Sequence, residues 1–201
     1  MAKSYGKSNL AIFAYGSLLS DPGEQILPHI IARIPFPSPW PIEYARRAKL
    51  RGDGPTLVLH KTGGIVQGRL LVLDIHDNGI DEVREWLWER EGRPAREQLK
   101  QMACAEFGSV LYCDLPATLR DEEIIPESLA EFAIESVRQS PARNAIRYLA
   151  QNIEHGIITP LTYTYRDAIL RRAGAVDLTQ AEDIVLRSLG GNAAVVNDAL
   201  P

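Results

Sequence analysis

Two short stretches of the sequence combine residue types that could bind a small anion and move a proton. The first is the run Tyr15-Gly16-Ser17-Leu18, which follows the apolar segment 11–14 and precedes a Pro-Gly pair. Because Gly16 has no side chain, the backbone can turn there, and successive amides can point toward a carboxylate or a phosphate. The hydroxyls of Tyr15 and Ser17 add two polar groups beside them. This stretch predicts an anion-binding turn at a sheet edge, at the end of a buried strand.

The second stretch is the end of a predicted helix over residues 80–90, where apolar side chains recur at helical spacing. Gly92 and Pro94 end this helix, so Glu91 is its last residue or nearly so. A carboxylate at a helix C-terminus gains nothing from the helix dipole, and apolar neighbours leave it poorly hydrated. Such a group can accept a proton from an ammonium group near neutral pH.

Together, these stretches resemble the gamma-glutamylcyclotransferase-like family, which includes the ChaC-type enzymes and has the AIG2-like fold. The family carries Tyr-Gly-Ser-Leu near its start, then a Val-x-Gly-x-Leu strand, which residues 66–70 match, and then a glutamate at the end of an apolar helix. One feature departs from the family pattern. A tyrosine often follows the glutamate after a short link, and residues 96–98 stand in that region instead.

The resemblance implies an enzyme that releases 5-oxoproline from a γ-glutamyl compound, such as glutathione, a γ-glutamyl peptide or a γ-glutamyl amine. The family's catalytic glutamate corresponds to Glu91, which would be the general acid and base, with Glu89 as the next candidate. The substrate-binding residues would be Tyr15, Gly16, Ser17 and Leu18. No metal and no cofactor are implied. The implied fold is α+β, a small mixed β-barrel with helices packed around it.

The composition of the chain restricts the classes of protein to which it can belong. A chain of 201 residues with 45% hydrophobic and 24% charged residues suits one globular domain, here predicted over 1–201. A net charge of −4 argues against a nucleic-acid partner. Two cysteines are too few for a disulfide framework or a zinc cluster, and no apolar run is long enough to span a membrane. We therefore predict a cytoplasmic protein whose partner is a small molecule, and the oligomeric state stays open.

The order of elements also indicates an α+β domain, with strands up to about residue 115 and a mainly helical part from about 120. Strands are predicted over 42–50 and 56–60 around an Arg-Gly-Asp turn, over 65–74, and over 101–112. Gly68 suggests a bulge or a close approach of backbone or ligand within its strand. The proline-rich segment 35–41 predicts an extended connector.

Four helices are predicted in the second part of the chain. They cover 125–139, 141–156 with Ser140 as N-cap, 163–172, and 177–189 with Thr179 as N-cap and Glu182 in a capping box. Residues 190–201 are predicted to form a loose tail.

Two other functions compete with the cyclotransferase. One is a catalytically silent relative that binds a small acidic metabolite or serves as an interaction module. A solvated Glu91 and a shallow cleft would favour it. The other is an enzyme of the same fold with altered chemistry, such as one that acts on γ-glutamylamines or on an acylated carrier.

Overall fold

The computed structural model describes residues 9–105 and 107–194, and the chain divides into two compact units. The first, which we call the sheet unit, contains residues 1–40 and 65–115. The second, the helical unit, contains residues 41–64 and 116–201. The single domain predicted over 1–201 stays a prediction.

Seven strands and six helices occur in the described part of the chain. The strands are β1 (Asn9–Ala14), β2 (Ile30–Pro37), β3 (Ile42–Ala48), β4 (Gly54–Leu59), β5 (Gln67–His76), β6 (Leu99–Cys104) and β7 (Gly108–Cys113). The helices are the single turn α1 (Ser17–Ser20), α2 (Ile80–Arg90), α3 (Pro126–Gln139), α4 (Ala145–Glu154), α5 (Thr162–Ala173) and α6 (Leu178–Ala194). The α+β class is therefore confirmed.

The sheet unit is built on a five-stranded mixed sheet with the order β2-β5-β1-β7-β6. The central strand β1 is antiparallel to β5 and parallel to β7. Alternate side chains of β1, including Leu10 and Ile12, belong to a buried cluster with Val83 and Leu87 of α2. These helix residues lie four apart, so they share one face of α2, and this face is the one that is buried. The packing places the C-terminal end of α2 beside the turn that follows β1.

Gly68 in β5 lies where a neighbouring side chain approaches the backbone closely. A Cβ atom at this position would lie 2.6 Å from Cε2 of Phe13 and 2.8 Å from the carbonyl oxygen of Ala14. The Phe13 ring also packs edge-on against Phe36 of β2, with 6.2 Å between centroids. The close approach predicted at Gly68 is thus made by a side chain and a carbonyl of the adjacent strand.

Gly68→Ala should destabilise the protein by about 1–3 kcal/mol, because a rigid carbonyl oxygen cannot move away from the added methyl group. Urea unfolding followed by circular dichroism measures the loss. The double variant with Phe13→Leu is the control, and its cost should be smaller than the sum of the two single costs because the residues touch. Wild-type stability in Gly68→Ala would show that the sheet relaxes freely at this position.

The helical unit pairs β3 with β4 as an antiparallel two-stranded sheet. The Arg-Gly-Asp sequence forms the turn between them, as predicted, and Gly52 within it is buried. Tyr44 and Tyr165 are fully buried, and their rings meet at a centroid distance of 5.2 Å.

Two predictions about the strands are wrong. The barrel is absent from the described residues, because β2 and β6 are the two edges of an open sheet and β3 pairs with β4 in a separate one. Residues 35–37 continue the edge strand β2 instead of forming a connector. An edge strand tolerates proline because the missing N–H can face away from its neighbour.

No helix in the described ranges is long and apolar enough to cross a membrane. The predicted cytoplasmic location stays a prediction. Helix α6 continues to Ala194, so it includes the first residues of the predicted tail, and residues 195–201 lie outside the described residues.

Candidate functional site

The predicted anion-binding turn follows the central strand of the sheet. Gly16 is buried and has φ 58° and ψ −135°, a conformation that glycine adopts far more readily than other residues. It is the N-cap of α1, and the side chain of Leu18 is buried in the core beneath. The chain turns where the sequence predicted, but β1 is the middle strand and does not lie at a sheet edge. That its amides bind an anion stays a prediction.

The hydroxyl-bearing side chains of this turn have different surroundings. Tyr15 packs beside Phe13, with 5.8 Å between ring centroids. Ser17, by contrast, accepts a hydrogen bond at its Oγ from the guanidinium of Arg90, at 3.1 Å. The structure therefore brings Ser17 into contact with the end of α2.

Glu91 is the C-cap of α2, and its amide donates to the carbonyl of Leu87 at 3.0 Å. Its side chain is 15% exposed and accepts a hydrogen bond at Oε1 from Nη1 of Arg90, at 2.6 Å. Glu89 is 38% exposed and pairs with Arg93 instead, at 3.1 Å. Of the two glutamates, Glu91 is the one that joins the turn after β1 through a shared partner.

That shared partner is Arg90, whose side chain is 13% exposed. Besides its bonds to Ser17 and Glu91, it donates twice to the carbonyl oxygen of Asp21, from Nε at 2.9 Å and from Nη2 at 2.6 Å. The guanidinium therefore links both predicted parts of the site. Its positive charge also compensates the carboxylate of Glu91, which opposes the sequence-based expectation of a poorly stabilised anion.

Sequence reasoning gave Arg90 no place in the site, although one signal pointed to it. Arg90 continues the helical stripe of Val83, Trp86 and Leu87. A charged side chain on the buried stripe of a helix needs polar partners nearby, because burying an unpaired charge is costly. Two of its partners, Ser17 and Asp21, lie more than sixty residues earlier in the chain, and periodicity does not reveal contacts of that kind.

A cleft of about 290 Å³ opens beside this cluster. Trp86 lines it, and its indole stacks with the imidazole of His29 at a centroid distance of 5.0 Å. His29 is in turn held by Asp74, with Nδ1 and Oδ1 2.9 Å apart. The described residues that line the cleft do not include Tyr15, Gly16, Ser17, Leu18 or Glu91. They are Pro22, Gly23, Glu24, Gln25, Ile26, Trp86 and Arg90.

Groups of three or more His, Cys, Asp or Glu side chains placed to hold a metal ion do not occur within the described ranges. The residues of the cluster can bind a carboxylate through the guanidinium, and Glu91 can accept a proton once it is free of Arg90.

The comparisons with known proteins give a likeness to a solved structure but none to a family or a curated protein. No protein-family model matches the sequence, and no curated protein matches it. A crystal structure of a selenomethionine-labelled γ-glutamyl cyclotransferase specific to glutathione, from yeast, is similar with a TM-score of 0.42 and 17% identity. The alignment covers 90% of this chain and 96% of that chain. A likeness at this score is too weak to assign a fold family or an activity.

Proposed function

We propose that the sheet unit carries a γ-glutamyl cyclotransferase site that releases 5-oxoproline without a cofactor. The observation that carries the proposal is the contact of one guanidinium with both predicted parts of the site. Arg90 binds Ser17 of the turn at 3.1 Å and Glu91 at the helix end at 2.6 Å. These two parts are separated by more than seventy residues in the chain, and the sequence predicts each of them independently of the other. Their resemblance to the motifs of the cyclotransferase family supports the same activity.

In the proposed reaction, Glu91 accepts a proton from the α-ammonium group of the substrate. The freed amine attacks the γ-carbonyl carbon of the same molecule, and the amides of the turn stabilise the oxyanion that forms. The bond between the γ-carbon and the leaving nitrogen then breaks, and the five-membered lactam is complete. Two protons pass in all from the attacking to the leaving nitrogen, the first through Glu91, so the amine leaves as an ammonium ion.

The reaction requires from the protein only a fixed substrate geometry and the transfer of protons. Because the amine and the carbonyl belong to one molecule, the site has to hold one conformer of the substrate. Water is neither consumed nor released, and no electrons change hands. A carboxylate and a set of hydrogen-bond donors are therefore sufficient.

We expect the purified protein to form 5-oxoproline from at least one of glutathione, a γ-glutamyl dipeptide and γ-glutamyl-ε-lysine. The reason is that these compounds share the glutamyl end and differ only in the leaving amine. Chromatography of the reaction mixture measures 5-oxoproline against a blank without protein. Absence of product from all three compounds would overturn the proposal.

A second function has an observation in its favour. The carboxylate of Glu91, the proposed base, already accepts a hydrogen bond from Arg90 at 2.6 Å, and the cleft beside this pair is open. A protein that only binds a small acidic metabolite would have these features too. Binding of 5-oxoproline or glutathione without turnover would establish that function instead.

A further inference from the structure

We propose that Arg90 binds the α-carboxylate of the γ-glutamyl substrate, and that Glu91 is released to act as the base when this carboxylate takes its place. The proposal rests on the proposed cyclotransferase function and names the group that recognises its substrate. It makes Arg90 a substrate-binding residue of the site.

The first argument is the way in which the guanidinium is held. Nε and Nη2 donate to the carbonyl oxygen of Asp21, and Nη2 donates also to Oγ of Ser17. These three bonds fix the plane of the guanidinium without using Nη1. A guanidinium anchored in this way keeps its position when the partner of Nη1 is exchanged, so little side-chain entropy is lost on binding.

The second argument is the partner that Nη1 has now. It donates one N–H to Oε1 of Glu91 at 2.6 Å, and its other N–H has no acceptor among residues 9–105 and 107–194. A carboxylate is therefore already the group that this nitrogen holds. Arg90 also lines the cleft of about 290 Å³ and 13% of its side chain is exposed, so the exchange at Nη1 takes place beside a space open to solution.

The third argument comes from the substrate. The α-carboxylate and the α-ammonium of a γ-glutamyl compound share one carbon atom. A carboxylate bound at Nη1 consequently brings the ammonium next to Glu91, whose Oε1 lies 2.6 Å from that nitrogen in the free protein. Exchange at Nη1 breaks the hydrogen bond between Arg90 and Glu91 and places the substrate ammonium, the proton donor, next to the freed carboxylate in the same step.

If Arg90 binds the α-carboxylate, the protein should select substrates in which this carboxylate is free. The wild-type protein should turn over a γ-glutamyl peptide with a KM about ten to a hundred times lower than that of its α-carboxamide analogue, as expected for a hydrogen bond between charged groups. Equal KM values for the two compounds would overturn the proposal without the use of any variant.

Variants of Arg90 test the same point. In Arg90→Met, the KM of the carboxylate substrate should rise to that of the carboxamide, whereas the KM of the carboxamide should change little. Arg90→Lys keeps a positive charge and should recover part of the discrimination, which is the ratio of the KM of the carboxamide to the KM of the carboxylate substrate. A loss of kcat on both substrates, with their KM ratio preserved, would assign Arg90 a structural role and overturn the proposal.

Arg93→Met is the matched control. Arg93 lies three residues further along, is 65% exposed and pairs with Glu89. Its replacement removes one positive charge near the helix end without touching the cluster, so KM and the discrimination should stay at their wild-type values. A loss of discrimination in this variant would show that general charge, and not Arg90, selects the carboxylate.

A binding measurement separates failure of this inference from failure of the proposed function. If the wild-type protein releases no 5-oxoproline, the cyclotransferase proposal fails, and titration calorimetry with 5-oxoproline itself still tests Arg90. Affinity that falls about ten to a hundred times in Arg90→Met would support carboxylate binding by this residue. Equal affinity in both proteins, or no binding to the wild-type protein, would overturn it.

Discussion

Replacement of Glu91 by Gln should lower kcat for 5-oxoproline release by about 10²–10⁴-fold, the usual contribution of a positioned general acid or base. The amide has nearly the shape of the carboxylate, and its oxygen can still accept the hydrogen bond from Arg90. It cannot take a proton from the substrate ammonium. KM should therefore change much less than kcat. Initial rates of 5-oxoproline formation over a range of substrate concentrations separate the two constants.

Glu89→Gln is the control for this experiment, because the two glutamates lie two residues apart at the same helix end. Glu89 is 38% exposed and pairs with Arg93, and an exposed ion pair of this kind contributes little to stability. We expect the Glu89→Gln variant to release 5-oxoproline at a rate near that of the wild type. If Glu89→Gln lost turnover while Glu91→Gln kept it, the base would be the other glutamate.

Local sequence patterns were enough to predict the two parts of the site. The turn at Gly16 follows from a strand ending at a glycine, and the end of α2 follows from Gly92 and Pro94. Helix α2 covers residues 80–90, as its periodicity predicted. Both are short-range features, in which the chemistry of a few adjacent residues fixes the backbone. The contact that joins them depends on Arg90 and Asp21, which are distant in the chain, so no local pattern contained it.

The helix starts show that a partner other than the one predicted from the sequence pattern can form the cap or bind the capping residue. Helix α4 begins at Ala145, not after Ser140, because Asn144 caps it by accepting from the amide of Arg147 at 3.0 Å. Helix α6 begins at Leu178 and not after Thr179, and the carboxylate of Asp177 accepts from the amide of Gln180 at 2.8 Å.

The capping box predicted around Glu182 is wrong for the same reason. Its carboxylate accepts a hydrogen bond from the side-chain amide of Asn144 at 2.7 Å and pairs with Arg147. The carboxylate of Glu182 therefore bonds to the N-cap and the first turn of α4, and it does not reach back to the start of its own helix. The spacing in the sequence was compatible with a cap, but the partner that Glu182 has in the fold lies 38 residues away.

A buried carboxylate in the helical unit leads to the second large effect. Glu43 of β3 is fully buried and forms no ion pair with any described residue. It accepts hydrogen bonds from the hydroxyl of Thr159 at 2.6 Å and from the amides of Tyr44 at 3.0 Å and Leu161 at 3.3 Å. Burial raises the pKa of Glu43, and these hydrogen bonds offset part of the rise. Glu43 thus links β3 to the start of α5. Its burial is costly, because no cation among the described residues compensates the negative charge of the carboxylate.

The raised pKa sets the direction of the pH dependence. Because folded Glu43 holds its proton more tightly than the unfolded chain does, its contribution to the free energy of unfolding is complete below about pH 4, near the ordinary pKa of Glu. The contribution is lost as the pH rises through the higher pKa of the folded state. Glu43→Gln removes this titration. The variant should lie within about 1 kcal/mol of the wild type at pH 5 and should gain relative to it by pH 8.

Urea unfolding at pH 5 and pH 8 measures this change, with Glu131→Gln as the control. Glu131 lies on α3 with 66% of its side chain exposed, so its replacement should leave the difference between the two pH values as it is in the wild type. Glu43→Ala tests the hydrogen bonds alone. It removes the acceptor of the Tyr44 and Leu161 amides, whereas the Thr159 hydroxyl still has Oγ1 of Thr162 at 3.0 Å. It should cost about 1–3 kcal/mol for each amide left buried without a partner, at both pH values. If the wild type and Glu43→Gln lost the same stability between pH 5 and pH 8, then Glu43 would not titrate in this range, and the pH dependence would come from other groups.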